Sequence, residues 1–168
     1  MKPTNDISGT MQYLTFRVAG EEYALGILHV REIIEFSAST RVPGTPPWIH
    51  GVINLRGRVV PVVDLSVRFG TGPTEVTPWT CAVIAEVRAG DETIVMGLLA
   101  DAVSQVLEID GGSIEPPPAF GTAAHTEYLR GVARAEGKLV LLLDIDCLLT
   151  AGETAALPAS EPAAAAVG

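Results

Sequence analysis

The stretch GVINLRGRVVPVVDL, residues 51–65, reads as two short apolar strands joined at Arg56-Gly57. A two-residue hairpin turn needs glycine because its backbone visits positive φ, and the flanking Val, Ile and Leu runs supply the strands. Nothing in turn geometry asks for the arginine. The surrounding sequence is of the same kind. QYLTFRV, EYAL, TCAVIAEV, ETIVMGLL, AVSQVLEI, GVARA and KLVLLLD are short strand-like runs set between Gly-rich or Pro-rich turns, which predicts a mainly β protein. Helical signals are brief, at residues 27–30 and after Asp64 and Asp144.

The stretch occurs twice. WIHGVINLRGRVVPVVDL (48–65) lies over YLRGVARAEGKLVLLLDI (128–145) without a gap, so that Trp48 meets Tyr128, Gly51 meets Gly131, Gly57 meets Gly137, Val60 meets Val140 and Asp64 meets Asp144. A weaker echo precedes it, VAGEEYALG (18–26) against RAGDETIVMG (88–97), and each copy then passes through a Pro-rich connector, VPGTPPW or EPPPAF. The chain is one small β unit made twice. Features kept in both copies belong to the fold, and a feature of one copy needs another reason. The turn glycine is kept. So is the aspartate at the strand end, which reads as an N-cap for a following helical turn and is expected to tolerate asparagine. Arg56 faces Glu136 in the second copy, so the turn itself does not require it.

Length and composition suit a soluble globular protein: 168 residues, 48% apolar and 18% charged. No apolar run approaches the roughly 18 residues of a membrane span, and the start MKPTND lacks a signal-peptide pattern, so a cytoplasmic location without membrane insertion is expected. The formal net charge of -9 disfavours nucleic acid as a partner. Cys81 and Cys147 lie far apart in apolar runs and read as reduced thiols. The phosphate-loop, dinucleotide, nucleophile-elbow and HExxH signatures are absent, and His29, His50 and His125 lack metal-ligand spacing. Neither enzyme activity nor a metal or other cofactor is expected. Residues 1–11 read as a flexible start, 12–150 as the folded domain and 151–168 as a disordered Pro/Ala-rich tail.

Read together, GVINLRGRVVPVVDL, YLTFRVAGEEYALGILHVREI (13–33), VMGLLADAVSQVLEI (95–109) and TEYLRGVARAEGKLVLLLDI (126–145) resemble the CheW family of bacterial chemotaxis coupling proteins. The resemblance covers about Gln12 to about Leu149, and its NLRGxxxPxxDL string is specific. It implies two five-stranded SH3-like β-barrel subdomains around a shared core, in agreement with the duplicated unit, with strands open to exchange between the subdomains. It also implies a non-catalytic adaptor, whose partners are the cytoplasmic tip of a methyl-accepting chemoreceptor and the regulatory domain of a CheA-type histidine kinase, within membrane-associated receptor arrays. Carried over residue by residue, it places Val30, Asn54, Leu55, Arg56, Gly97 and Val106 at the receptor, and Ile27, Glu32, Ile33 and Phe120 at the kinase. Arg56 and Glu32 match a family pair at the partner surfaces. Glu115, beside the aromatic Phe120 of the second kinase contact, stands where a family member carries a basic residue, which implies a reversed charge at that contact.

Two other readings compete. Arg56 and Glu32 form an ordinary surface ion pair, worth about 0–1 kcal/mol and without a partner. Or the cleft between the two barrels takes an apolar small molecule, which makes the protein a ligand-binding module.

Overall fold

The computed structural model describes residues 10–89, 91–116 and 129–145. Phe120, Cys147, His125 and the expected tail lie outside them, as does the stretch that follows Ile145. Among the described residues ten strands are formed: β1 (Thr10–Val18), β2 (Glu21–Gly26), β3 (Val30–Glu35), β4 (Ile49–Leu55), β5 (Arg58–Asp64), β6 (Cys81–Ala89), β7 (Glu92–Ala100), β8 (Ala102–Asp110), β9 (Leu129–Ala135) and β10 (Lys138–Leu143). A single helical turn, α1 (Leu65–Arg68), follows β5, and 3-10 turns occupy Ile27–His29 and Gly111–Ser113. The protein is mainly β, as the sequence predicts. The first strand starts at Thr10, two residues ahead of the expected domain boundary, because Thr10 and Met11 already pair with Asp110 and Ile109 of β8.

The strands form two five-stranded sheets, ordered β8-β1-β2-β10-β9 and β3-β6-β7-β5-β4. With β1–β5 as the first repeat and β6–β10 as the second, the two orders are the same with the repeats interchanged. Each sheet takes its first strand from one repeat, its second and third from the other, and its last two from the repeat that supplied the first. The repeats are therefore interleaved. Within each repeat the hairpins β1–β2, β4–β5, β6–β7 and β9–β10 are antiparallel, and the parallel ladders β2–β10 and β5–β7 join one repeat to the other.

Neither sheet is a closed barrel. The first and last strands of each order are linked by an isolated bridge from the connector, Thr40 to Val52 in one sheet and Glu115 to Val132 in the other. The bridge explains the paired glycines of the repeat. A Cβ on Gly51 would run into Ser39 and the Thr40 carbonyl oxygen, and one on Gly131 into Ile114 and the Glu115 carbonyl oxygen. In both copies the connector crosses the strand where only glycine leaves room. The same bridge accommodates Pro61 inside β5. Its partner Val52 turns both backbone groups to Thr40, and the parallel ladder to β7 begins one residue later, at Val62. The donor that proline lacks is not needed there.

Strand alternation divides the apolar side chains into three clusters. The inner face of one curled sheet buries Tyr13, Ala24, Ile109, Ala133, Val140 and Leu142. The inner face of the other buries Phe36, Val60, Val62, Ala82, Ile84, Val95 and Leu99. The opposite faces meet in a shared core that includes Leu14, Phe16, Leu25, Val63, Val83, Met96 and Leu98. Tyr23 stacks on Phe69 in this region, with centroids 5.0 Å apart, and burial pushes its phenol up to about 12.

Candidate functional site

The β4–β5 hairpin turns through Arg56 and Gly57 at φ 55° and 83°. Both central residues occupy the left-handed region, as a type I′ turn demands, and for a side-chain-bearing residue this costs about 1 kcal/mol. The arginine is thus held in a conformation that asparagine or glycine adopts more readily. The Asn54 carboxamide oxygen accepts from the Gly57 N–H at 2.8 Å and ties the turn to its own strand.

From this tip the guanidinium reaches β3. Arg56 Nη1 donates to Glu32 Oε2 at 2.5 Å and Nη2 to Oε1 at 2.7 Å, a bidentate fork. Glu32 lies on one end strand of its sheet and Arg56 beside the other, so the pair spans the gap that the Thr40–Val52 bridge also crosses. The Arg56 hydrogen bonds hold the Glu32 carboxyl below the usual carboxylate range, helped by the charges of Arg56 and Arg31, and the pairing raises Arg56 in turn. The Arg56 side chain is 71% exposed, so water screens the attraction and little stability follows. The strand neighbour Arg31 pairs with Glu86 of β6 at 2.8 Å.

Beside these charges stand apolar side chains. Ile33 is 42% exposed on β3, and Leu28, in the 3-10 turn just before it, is 83% exposed. Ile27 and Val30 behave differently, being half-buried against the shared core. Leu55 packs against the cluster inside the curled sheet, while Asn54 remains exposed. Glu32, Ile33, Asn54 and Arg56 are therefore brought to one edge of one sheet, with Leu28 on the turn leading into it. Gly97 stands apart. It is buried in β7, and a Cβ there would touch Ile84, Ala82 and Val62, so it serves packing and presents no surface. Val106 is 48% exposed but belongs to β8 of the other sheet. Phe120 lies outside the described residues.

The other hairpin has its own version of the contact, which the sequence did not reveal. Gln105 Nε2 on β8 donates to Glu136 Oε1 at 3.1 Å. Glu136 occupies the place of Arg56, at φ 53° before Gly137, and β8 is the first strand of its sheet order as β3 is of the other. A polar link from hairpin tip to edge strand is a property of the fold, and the sign of its charge is a property of the copy.

Asp64 is more than a cap. It is 2% exposed, and its Oδ1 accepts from Ser66 N–H at 3.1 Å, the cap expected from the sequence. Its carboxylate also accepts from Thr74, from the backbone N–H at 3.0 Å and from the hydroxyl at 2.6 Å. One buried carboxylate thus fastens the helical turn and the following loop. Asparagine lacks the second acceptor, so the substitution will cost more than a cap alone predicts.

Among the described residues no group of three or more His, Cys, Asp and Glu side chains is placed to hold a metal ion. No helix among them is long and apolar enough to cross a membrane. What the arrangement offers is a mixed charged and apolar edge on a doubly built β scaffold, the makings of a protein-interaction module. Residues 12–153 match the CheW-like domain, and the chain belongs to that family. It is 35% identical over 146 residues to the chemotaxis protein CheW of Rhizobium meliloti, covering 87% of this chain and 92% of that protein. Against the chemotaxis protein CheW of Klebsiella aerogenes the identity is 36%, covering 86% of this chain and 84% of that protein. The crystal structure of the scaffolding protein TtCheW from Thermoanaerobacter tengcongensis superposes with a TM-score of 0.75 at 34% identity, over 85% of this chain and 90% of that one. The family is one of chemotaxis scaffolds and adaptors.

Proposed function

We propose that this chain is a non-catalytic chemotaxis adaptor that couples the cytoplasmic tips of methyl-accepting receptors to the regulatory domain of a CheA-type histidine kinase. It works from the cytoplasm and is recruited to membrane-associated receptor arrays. The observation that supports this most is the reach of the relationship: the match to proteins named for chemotaxis and scaffolding takes in both repeats and nearly the whole of those relatives. The site agrees with it. The β3 edge carries the Glu32–Arg56 pair and, at the next strand position, the exposed Ile33, with the exposed Leu28 on the turn that leads into it, so that charged and apolar side chains are both available along one edge. Ile27 and Val30, on the same turn and strand, pack against the shared core. The receptor reads the Arg56 tip and Asn54, and the kinase covers Ile33, Leu28 and Glu32.

The small-molecule reading is less well supported. One groove, of about 380 Å³, sets Phe36 and Ile53 among Glu35, Ser37, Ser39, Thr40 and Asn54, and another, of about 340 Å³, is lined mostly by hydroxyl and carboxylate groups such as Ser66, Thr71, Thr74 and Asp101, so neither has the predominantly apolar lining of a typical ligand pocket.

Leu28→Glu against Ile27→Glu tests the kinase assignment. Leu28→Glu keeps a cooperative melt and loses at least tenfold in affinity for the kinase regulatory domain in a titration. Ile27→Glu, placing a charge against the shared core, lowers the melting temperature as well. Wild-type affinity in a folded Leu28→Glu protein would remove this edge from the kinase contact.

A further inference from the structure

The interleaving of the repeats carries a consequence for assembly. Four ladders join the repeats to each other, β1–β8, β3–β6, β5–β7 and β2–β10, and four lie within them, β1–β2, β4–β5, β6–β7 and β9–β10. Four of the six ladders in which each repeat takes part are therefore satisfied only by a complementary repeat. Nothing in those ladders distinguishes a complement on the same chain from one on another copy. The covalent link between the repeats is a single crossing, residues 69–80 between α1 and β6, which carries Gly70, Gly72, Pro73 and Pro78 and no strand. It is fastened by side-chain ties near its middle and end. Asp64 holds Thr74, and the Thr80 hydroxyl accepts from the Thr77 N–H at 2.8 Å.

We propose that two copies of this chain can exchange repeats, the first repeat of each interleaving with the second repeat of the other, to give a dimer of two complete units hinged at residues 70–79. Every ladder and all three apolar clusters are reproduced in such a dimer, and only the hinge changes course. The free-energy difference between closed monomer and exchanged dimer then comes down to hinge strain against the effective concentration of the tethered repeat. In the wild-type chain a relaxed hinge favours the monomer at low concentration. Shortening the hinge penalises closure within one chain and leaves the exchanged form free to extend. Each complete unit of the dimer keeps its own Arg56 tip and Glu32 edge, so exchange doubles the valence of the surface without altering it.

Deletion of residues 75–79, which spares Asp64 and its Thr74 partner, is the direct test. The shortened chain is expected to run at twice the monomer mass by light scattering and to keep a single cooperative melt. A folded, monomeric deletion variant overturns the proposal. Should the deletion abolish folding, the wild-type chain decides. Two differently tagged preparations are unfolded together in denaturant, refolded at high concentration and diluted. A mixed-tag dimer of twice the monomer mass that persists on dilution sustains the proposal, and its absence at every refolding concentration overturns it.

Discussion

At the tip of β4–β5 the chain turns through Arg56 and Gly57 at φ 55° and 83°, and at the tip of β9–β10 through Glu136 and Gly137 at 53° and 78°. The backbone is the same to within a few degrees. Each tip residue then reaches the first strand of its sheet order, Arg56 to Glu32 by two charged hydrogen bonds and Glu136 to Gln105 by one. The fold asks for a left-handed residue before glycine and for a polar contact across the gap in each curled sheet. It leaves the charge open. The second tip therefore serves as an internal control for the first: what the two share is architecture, and the cationic fork with its Asn54 brace is what the β4–β5 tip adds.

The largest effect should come from erasing what the copies share. Gly51→Val and Gly131→Val each drive a branched side chain into the connector, and each is expected to cost about 3 kcal/mol or more in chemical denaturation. If one is tolerated, the two connectors are not equivalent. Asp64→Asn comes next. Loss of an acceptor in a buried cluster of four donors should cost about 1–3 kcal/mol, visible as a lowered denaturation midpoint. A midpoint equal to wild type would show that the Thr74 tie contributes nothing and reduce Asp64 to a cap.

Arg56→Glu addresses the difference between the tips. It leaves stability within about 1 kcal/mol of wild type, since exposed pairs count for little, and weakens receptor-fragment binding at least tenfold, about 1.4 kcal/mol. The single change sets a second carboxylate against Glu32, a repulsion that the other tip avoids by facing a neutral glutamine. The double variant Arg56→Glu/Glu32→Gln copies the second tip onto the first. It should recover any stability lost and none of the binding, and a double variant that bound normally would show the charge to be dispensable. The smallest effect is in pH. Glu32 titrates lower in the folded protein than its unfolded value of 4.5, so its contribution is complete above that value and is lost as pH falls through the folded one. The melting-temperature gap between wild type and Glu32→Gln should be constant at neutral pH and close in acid.

Much of this was legible in the residues. Strand runs and turn glycines announced a β fold, and the repeat announced its duplication, because hairpin chemistry is local. Gly51 and Gly131 were visible as kept positions, although their reason, a connector crossing the strand, is a long-range contact that no local pattern encodes. The particular exchange of strands between sheets escaped detection for the same cause: a parallel ladder such as β5–β7 joins residues more than thirty apart. The Arg56–Glu32 contact came from family likeness, since spacing does not show that two end strands of a curled sheet meet. Gln105 was missed although a signal existed. Once Glu136 was aligned with Arg56, its partner was to be sought on the strand corresponding to β3. Leu28 gave no such signal, because a three-residue 3-10 turn has no periodicity from which to read its outward side.

Interleaving also governs how the protein can be made. When the first repeat leaves the ribosome it can close β1–β2 and β4–β5, but β3, β5 and the far side of β1 lack their partners from the second repeat until it follows. At about 5–20 residues per second, translation leaves those strand edges unpaired for a time on the order of seconds, with apolar faces uncovered. The domain can therefore complete its fold only once β10 has followed, and until then the first repeat is an open pair of hairpins.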